Sequence, residues 1–132
     1  LDRFAGSAGR KIPIMLECNV SGEPSKYGFS AWQEIQWTEL SAMIQEILVL
    51  PNLDLRGLMT IAPYFERAES ARPYFRRLRE LRDFLGEKCP AANLVELSMG
   101  MSGDFQVAIQ EGATIVRIGT AIMGPRPERT DR

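Results

Sequence analysis

The chain contains 132 residues, of which 45% are hydrophobic and 25% are charged, and its formal net charge is −1. These values are typical of a globular protein of about one domain, and the near-neutral charge gives no general attraction to nucleic acid or to an anionic membrane. The absence of histidine excludes Ser-His and Cys-His nucleophile systems and His-dependent metal centres within this sequence.

Signals for export or membrane insertion are also lacking. No apolar run approaches the length of a membrane span, and the first residues, LDRFAG, do not contain the apolar core of a signal peptide. Cys18 and Cys89 are too few for a disulfide framework or a zinc site. We therefore expect a cytoplasmic protein with no membrane partner and no metal.

The first third of the chain predicts a tail, a strand, a loop and a helix. Residues 1–11 are too short to form an independent element and are interpreted as the tail of a preceding one. The apolar run at 12–20 predicts a buried strand, and 21–29 predicts a loop. A helix is predicted over 38–48, because Thr38 is a suitable N-cap and apolar residues repeat on one stripe after it.

The middle third predicts a strand over 53–61 and the longest helix over 69–85, which Gly86 ends. Five arginines crowd one side of this helix: Arg72, Arg76, Arg77, Arg79 and Arg82. A basic run of this kind can bind nucleic acid, but acidic residues alternate with the arginines and no aromatic residue is interleaved with them. A solvated helix face, without a nucleic-acid partner, is therefore the preferred interpretation.

The last third predicts two strands, each followed by a turn rich in glycine and hydroxyl residues. The run at 94–97 reads as a buried strand and leads into a turn at 98–103, where Ser102 caps a short helix. A β-branched strand at 114–118 then leads into the turn Gly119-Thr120-Ala121. Both turns are expected at the carboxyl ends of neighbouring parallel strands.

Open backbone N–H groups and hydroxyls at such turns suit an anion the size of a phosphate. Ser98, Gly100, Ser102, Gly119 and Thr120 supply such groups. The alternative is that glycine and serine only make tight turns, since short motifs of this kind also occur by chance. Arg117 favours a site, because it is a single cation in an apolar strand, on the same face as Ile115 by period-2 alternation.

Strands and helices thus alternate along the chain without hairpin signals, which indicates an α/β fold of about four parallel strands joined by right-handed crossovers. Four such strands are half of an eight-stranded (β/α)8 TIM barrel. The 132 residues are interpreted as a single domain. Because a half barrel leaves two open edges, we expect it to pair with a missing N-terminal half or with a second copy of the chain.

Several segments together resemble the pyridoxal-phosphate homeostasis protein family, also called the YggS/PROSC family. The longest is LSMGMSGDFQVAIQEGATIVRIGTAIMG, which closely resembles the C-terminal signature of that family. Asn19–Glu23, Ser25–Phe29 and Leu55–Thr60 agree with it in the right order, so that the resemblance runs from about residue 14 to residue 126. Met123 departs from the family pattern, which more often has Phe there.

The resemblance implies the C-terminal portion of an alanine-racemase-like barrel that binds pyridoxal 5′-phosphate (PLP). Carried over to this sequence, the residues around the phosphate would be Ser98, Met99, Gly100, Ser102, Gly119 and Thr120. Arg117 would face the pyridine nitrogen. The family holds PLP through a Schiff-base lysine in its N-terminal half, and none of Lys11, Lys26 and Lys88 stands in an equivalent position, so this lysine is absent from the chain.

The family implies a role in intracellular PLP homeostasis without catalysis. A charged guanidinium beside the ring nitrogen and the lack of histidine both favour holding the cofactor over turning over amino acids. The alternative is a fragment of a fold-type III PLP enzyme, an amino-acid racemase or decarboxylase, and a third interpretation is a barrel fragment with no ligand. The loop at 21–29, with Lys26, is implied to cover the rim of the pocket, and 127–132 is expected to be a flexible C-terminus.

Overall fold

The structure is a computed structural model and describes residues 1–125. The strands are β1 (Ile12–Asn19), β2 (Phe29–Ser30), β3 (Leu53–Met59), β4 (Glu96–Met101) and β5 (Ile115–Arg117). The helices are α1 (Asp2–Ser7), α2 (Glu34–Leu48), α3 (Arg72–Lys88), α4 (Phe105–Gln110) and α5 (Thr120–Met123), and a 3₁₀ helix at Ala68–Ala71 leads into α3. The predicted flexible segment at 127–132 lies outside the described residues.

The five strands form one parallel sheet in the order β2-β1-β3-β4-β5. The predicted α/β class is confirmed: β1, β3, β4 and β5 lie side by side in chain order with helices between them, and the two-residue strand β2 pairs with β1 at the edge. The short strand β2 was not predicted, because two residues give no periodic pattern. Within residues 1–125, no helix is both long and apolar enough to cross a membrane.

One side of the sheet carries the hydrophobic core. Leu16 and Cys18 of β1 point into it, and helices α2 and α3 contribute Ile44 and Phe75, which are both fully buried. The residues that alternate with them in β1 point the other way, so that Met15 remains 37% exposed. Helices therefore cover one side of the sheet, and the opposite side is open.

This open side is called the inner face below. Glu17 pairs with Met59, Met59 pairs with Ser98, and Ser98 pairs with Ile115, which places these four residues in one row across β1, β3, β4 and β5. Arg117 lies two residues after Ile115 and therefore points to the same face, as its alternation predicted. The row and Arg117 together bring an acid, a hydroxyl and a cation to the carboxyl half of the sheet.

Two predicted helix boundaries are wrong, and one helix lies where no element is predicted. The tail at 1–11 contains helix α1, which packs Ala5 into the structure. Helix α2 begins at Glu34 and not at 38, because Gln33 and Gln36 form a reciprocal capping box whose N-cap, Gln33, precedes Thr38 by five residues. Helix α3 continues through Gly86 to Lys88, since this glycine lies within regular helix and does not end it.

The arginine-rich face of α3 is also less solvated than predicted. Arg72, Arg76 and Arg79 converge on the carboxylate of Glu111, whose side chain is only 6% exposed. Their nitrogens lie 3.0, 3.5 and 2.8 Å from its oxygens. These arginines therefore tie α3 to the end of α4 and do not present a free basic surface.

Candidate functional site

The chain turns sharply after β4 and after β5, and the two turns are in direct contact. The Oγ atom of Ser102, after β4, accepts hydrogen bonds from the backbone N–H groups of Gly119 (3.1 Å) and Ala121 (3.2 Å), after β5. A hydroxyl that accepts two such bonds still has its own proton to donate. The two turns thus form one polar corner, with a hydroxyl donor at its centre.

A cavity of about 590 Å³ opens at this corner. Its polar end is formed by Ser102, Gly103, Gly119 and Thr120. Its remaining walls are mostly apolar and come from residues 61–65, Ala68, Ala71, Met101, Met123 and Gly124, with the side chains of Lys26 and Asp104 at the edge. An anion at the polar end would therefore lie beside apolar surface that suits a flat organic group.

Arg117 lies on the inner face beside this corner and is held by two hydrogen bonds. Its Nη1 donates to the Oγ of Ser98 (2.6 Å) and its Nη2 donates to the backbone oxygen of Thr60 (2.8 Å). Burial lowers the pKa of Arg117, whereas the negative charges of Glu17 and Asp104 raise it. Arginine stays protonated in proteins despite such shifts, so the inner face carries a fixed positive charge.

The strand that was predicted to end at 97 extends to Met101, so Ser98, Met99 and Gly100 lie within β4 and not in a turn. Gly100 has a φ of +93°, and a Cβ there would lie 2.6 Å from the Cβ of Ala108. The predicted turn at Gly100 is therefore wrong, because this glycine lies in β4 and allows α4 to pack closely against the strand. The side chain of Met99 is fully buried in the core, which leaves only its backbone for contact with a ligand.

The predicted cap of helix α4 is likewise shifted. Asp104, and not Ser102, occupies the N-cap, and its carboxylate accepts a hydrogen bond from the backbone N–H of Met101 (2.7 Å). This frees the Ser102 hydroxyl for the turn after β5. Just after the end of α4, Gly112 adopts a left-handed conformation, with a φ of +98°.

The seven predicted site residues fall into three groups. Ser102, Gly119 and Thr120 line the cavity. Ser98 and Arg117 are hydrogen-bonded to each other on the inner face, and Met99 and Gly100 are buried within β4. Glu17 on the inner face was not predicted, although alternation with the buried Leu16 and Cys18 could have indicated its direction.

Other reactive groups in the described part of the chain offer little chemistry. Burial, reinforced by the charge of Glu17, raises the pKa of the Cys18 thiol to about 12, so this cysteine is not a thiolate near neutral pH. Residues 1–125 contain no group of three or more acidic or cysteine side chains that could hold a metal ion. Tyr27 and Tyr64 are 83% and 89% exposed.

Comparison with known families identifies this arrangement. The alanine racemase N-terminal domain family matches residues 1–127. The chain belongs to this family. Its parallel α/β sheet agrees with this assignment, and the polar corner lies at the carboxyl ends of the strands, which is where (β/α)8 barrels in general carry their active sites.

The predicted resemblance to pyridoxal phosphate homeostasis proteins is confirmed. The protein of that name from Aquifex aeolicus is 51% identical over 113 residues, which cover 86% of this chain and 46% of that protein. The human protein of that name is 40% identical over 119 residues, which cover 88% of this chain and 41% of that protein. The chain therefore spans less than half the length of these two relatives.

Solved structures show the same similarity. PipY from Synechococcus elongatus has been solved without PLP and with PLP bound, and the PLP-bound structure aligns with a TM-score of 0.80 at 35% identity, covering 94% of this chain and 54% of PipY. Alanine racemase from Clostridium difficile aligns with a TM-score of 0.61 at 21% identity, covering 97% of this chain and 31% of that enzyme. The second match supports the racemase-like fold only.

Proposed function

We propose that this protein binds pyridoxal 5′-phosphate and takes part in PLP homeostasis. The relatives that carry this name, and the PLP complex of PipY, support PLP as the ligand. The observation that carries the proposal is the contact between the two turns, in which one hydroxyl joins the corners after β4 and β5 beside a cavity. Such a corner offers the hydroxyl protons of Ser102 and Thr120 to a phosphate monoester.

The residues present fit the chemistry of PLP. Ser102 and Thr120 would donate their hydroxyl protons to the phosphate, and the glycine backbone at Gly119 allows close approach. Arg117, with the support of Ser98, would face the nitrogen of the pyridine ring. The other three predicted residues lie in β4, the strand that positions these groups: Ser98, Met99 and Gly100. Only the backbone of Met99 could contact the cofactor.

The guanidinium determines what the bound cofactor could do. PLP supplies an aldehyde and a ring that withdraws electrons most strongly when its nitrogen is protonated. A permanently charged Arg117 beside that nitrogen disfavours its protonation, since two positive charges would then lie side by side. The site therefore favours storage of the cofactor over stabilisation of carbanions.

A storage role also agrees with the lack of an assignable acid–base pair within residues 1–125. The sequence contains no histidine, and Tyr27 and Tyr64 project from loops into solvent. We accordingly propose that the protein is not a racemase or decarboxylase. Incubation of the full-length PLP-loaded protein with each amino acid in deuterated water tests this point: the α-proton should remain unexchanged, and steady exchange at an enzyme-like rate would favour the enzyme alternative.

The covalent attachment point is proposed to lie outside these 132 residues. Lys11 precedes β1 at the end of the sheet away from the corner, Lys26 lies in a loop at the cavity edge, and Lys88 ends α3. The inner face is open and includes exposed Met15 and Ile115. We propose that the N-terminal portion found in the longer relatives covers this face and supplies the lysine; the alternative is a second copy of the chain.

Ligand comparison tests the proposed function directly. The full-length protein should bind PLP with a visible absorption band, and inorganic phosphate should compete with it, whereas pyridoxal, which lacks the phosphate, should bind much more weakly. Equal affinity for PLP and pyridoxal would exclude the corner as a phosphate site. Reduction with sodium borohydride and measurement of the intact mass would then show which lysine carries the cofactor.

A further inference from the structure

Thr60, at the end of β3, makes hydrogen bonds to three other strands. It follows β3 directly and is 1% exposed. Its hydroxyl donates to the backbone oxygen of Cys18 in β1 (2.7 Å), and its N–H donates to the backbone oxygen of Ser98 in β4 (3.0 Å). Its own backbone oxygen accepts the Nη2 of Arg117 from β5 (2.8 Å). Each polar group of this residue therefore has a partner on a different strand.

These hydrogen bonds form a closed ring that includes the guanidinium of Arg117. Arg117 donates to the Oγ of Ser98 and to the oxygen of Thr60, and Ser98 and Thr60 are themselves joined through their backbones. A guanidinium held at two of its nitrogens has one orientation, because its donors lie in a rigid plane. The backbone oxygen of Thr60 is one of the two acceptors that set the plane of the guanidinium. The Thr60 hydroxyl keeps this oxygen in place, because its hydrogen bond to Cys18 anchors Thr60 to β1.

We propose that Thr60 is a positioning residue that orients Arg117 toward the ring of the bound ligand. This inference rests on the proposed function and adds to it the side chain that keeps the guanidinium plane in place. In a buried setting such a hydrogen bond is strong, and its loss would leave the oxygen of Cys18 without its Thr60 partner. The guanidinium would then keep its charge but lose its fixed direction.

The test compares Thr60→Val with Thr60→Ser in the full-length protein. Valine keeps the volume and the β-branch but removes the hydroxyl, whereas serine keeps the hydroxyl. We expect T60V to shift the absorption band of bound PLP in the same direction as Arg117→Leu and to weaken PLP binding by about fivefold. Affinity for inorganic phosphate should change by less than about twofold, since no bond at the polar corner is removed. T60S should resemble the wild type.

The inference is overturned if folded T60V keeps the wild-type absorption band of bound PLP, or if T60S shifts that band as much as T60V does. It is also overturned if adding T60V to a protein that already carries R117L shifts the band further, because Thr60 would then act independently of Arg117. A wild-type protein that binds no PLP would overturn the proposed function instead. Rotation of the Arg117 guanidinium, followed by nitrogen NMR in the ligand-free wild type, gives a readout that needs neither PLP nor a variant. Slow rotation is expected, and free rotation would contradict the role of Thr60.

Discussion

The Oγ atom of Ser102 lies 3.1 Å from the backbone nitrogen of Gly119, and this hydrogen bond joins the turn after β4 to the turn after β5. The two residues are 17 positions apart in the chain. Because the same oxygen also accepts the N–H of Ala121, the proton of the hydroxyl is left to donate elsewhere. Ser102 also lines the cavity, so its hydroxyl proton is a candidate donor to an anion bound there.

Replacing Ser102 with alanine and Thr120 with valine together should weaken binding of phosphate and of PLP. Each change removes a hydroxyl from the polar end of the cavity. Because each hydrogen bond to a charged group contributes about 1.5 to 3 kcal/mol, we expect a combined loss of about 3 to 6 kcal/mol. Isothermal titration with inorganic phosphate and with PLP would measure it. Ser7→Ala, on the exposed surface of α1, is the control, and an unchanged affinity in the double variant would rule out the corner as the binding site.

Replacing Arg117 with leucine should change the absorbance of bound PLP more than the stability of the fold. The guanidinium makes two hydrogen bonds, to Ser98 and Thr60, whose loss costs about 1 to 3 kcal/mol of unfolding free energy. The ring nitrogen, freed from a neighbouring cation, should become protonated at a higher pH, and a pH titration of the absorption band would detect this shift. Arg117→Lys should fall between leucine and wild type, since an ammonium keeps the charge but not the planar fork.

Arg82→Leu is the matched control for these variants, because Arg82 pairs only with the adjacent Asp83 within the described residues. Its absorption band and its titration should equal those of the wild type. If R117L fails to fold while Arg117→Lys folds and keeps an unchanged titration, Arg117 only stabilises the fold through its hydrogen bonds to Ser98 and Thr60 and has no influence on the ring.

Some of this site could be predicted from the sequence and some could not. The direction of Arg117 follows from alternation alone, because the side chains of a strand have a period of two. The end of β4 could not be placed correctly, since a glycine in a strand that packs against a helix looks like a glycine in a turn. The start of α2 was missed for a similar reason: Gln33 and Gln36 cap it, and glutamine is a weaker capping signal than threonine.

The network around Glu111 was missed because it depends on pairing between distant parts of the chain. Arg72 and Glu111 are 39 residues apart, and no local sequence pattern predicts their contact. A sequence window shows only five arginines with intervening acids, which is the pattern of a solvated helix face. The burial of one carboxylate at the end of α4 changes the role of three of them.

Replacing Glu111 with glutamine should lower the free energy of unfolding by about 3 kcal/mol. This value is at the lower end of the range for breaking a buried ion pair, because the three arginines can still reach water. Desolvation raises the pKa of this carboxyl, but the hydrogen bond from Arg72 and the charges of Arg79 and Arg76 outweigh it, so the pKa is lowered. A lowered pKa stabilises the fold above the ordinary carboxyl pKa, and this contribution is lost as the pH falls through the folded-state pKa.

Urea denaturation at a series of pH values would check both parts of this prediction. The difference in unfolding free energy between wild type and E111Q should be constant near pH 7 and should shrink as the pH falls below about 5. Glu39→Gln, at an exposed position of α2, is the control and should show little difference at any pH. A difference for E111Q that stays the same down to acidic pH would mean that packing, and not charge, is what Glu111 contributes.

Replacing Gly100 with alanine should damage both stability and the phosphate corner. The new Cβ would lie 2.6 Å from the Cβ of Ala108 and 3.0 Å from the Cα of Phe105, so α4 would have to move away from β4. The φ of +93° adds strain for any residue with a side chain. Overpacking and strain each cost about 1 to 3 kcal/mol, and we expect about 3 kcal/mol together, measured by urea denaturation.

Gly103→Ala is the matched control, because nothing lies within 4 Å of a Cβ at that position, only three residues away in the turn after β4. It should leave stability within about 1 kcal/mol of wild type. Helix α4 carries Asp104 at its N-cap, which holds Met101 directly before Ser102, so movement of the helix in G100A should also displace the Ser102 hydroxyl. Phosphate affinity should therefore fall in G100A, whereas Gly86→Ala, in α3 and not in the cavity lining, should leave it unchanged because nothing lies within 4 Å of a Cβ there. A destabilised G100A that retains full phosphate affinity would show that the position of α4 does not determine the geometry of the corner.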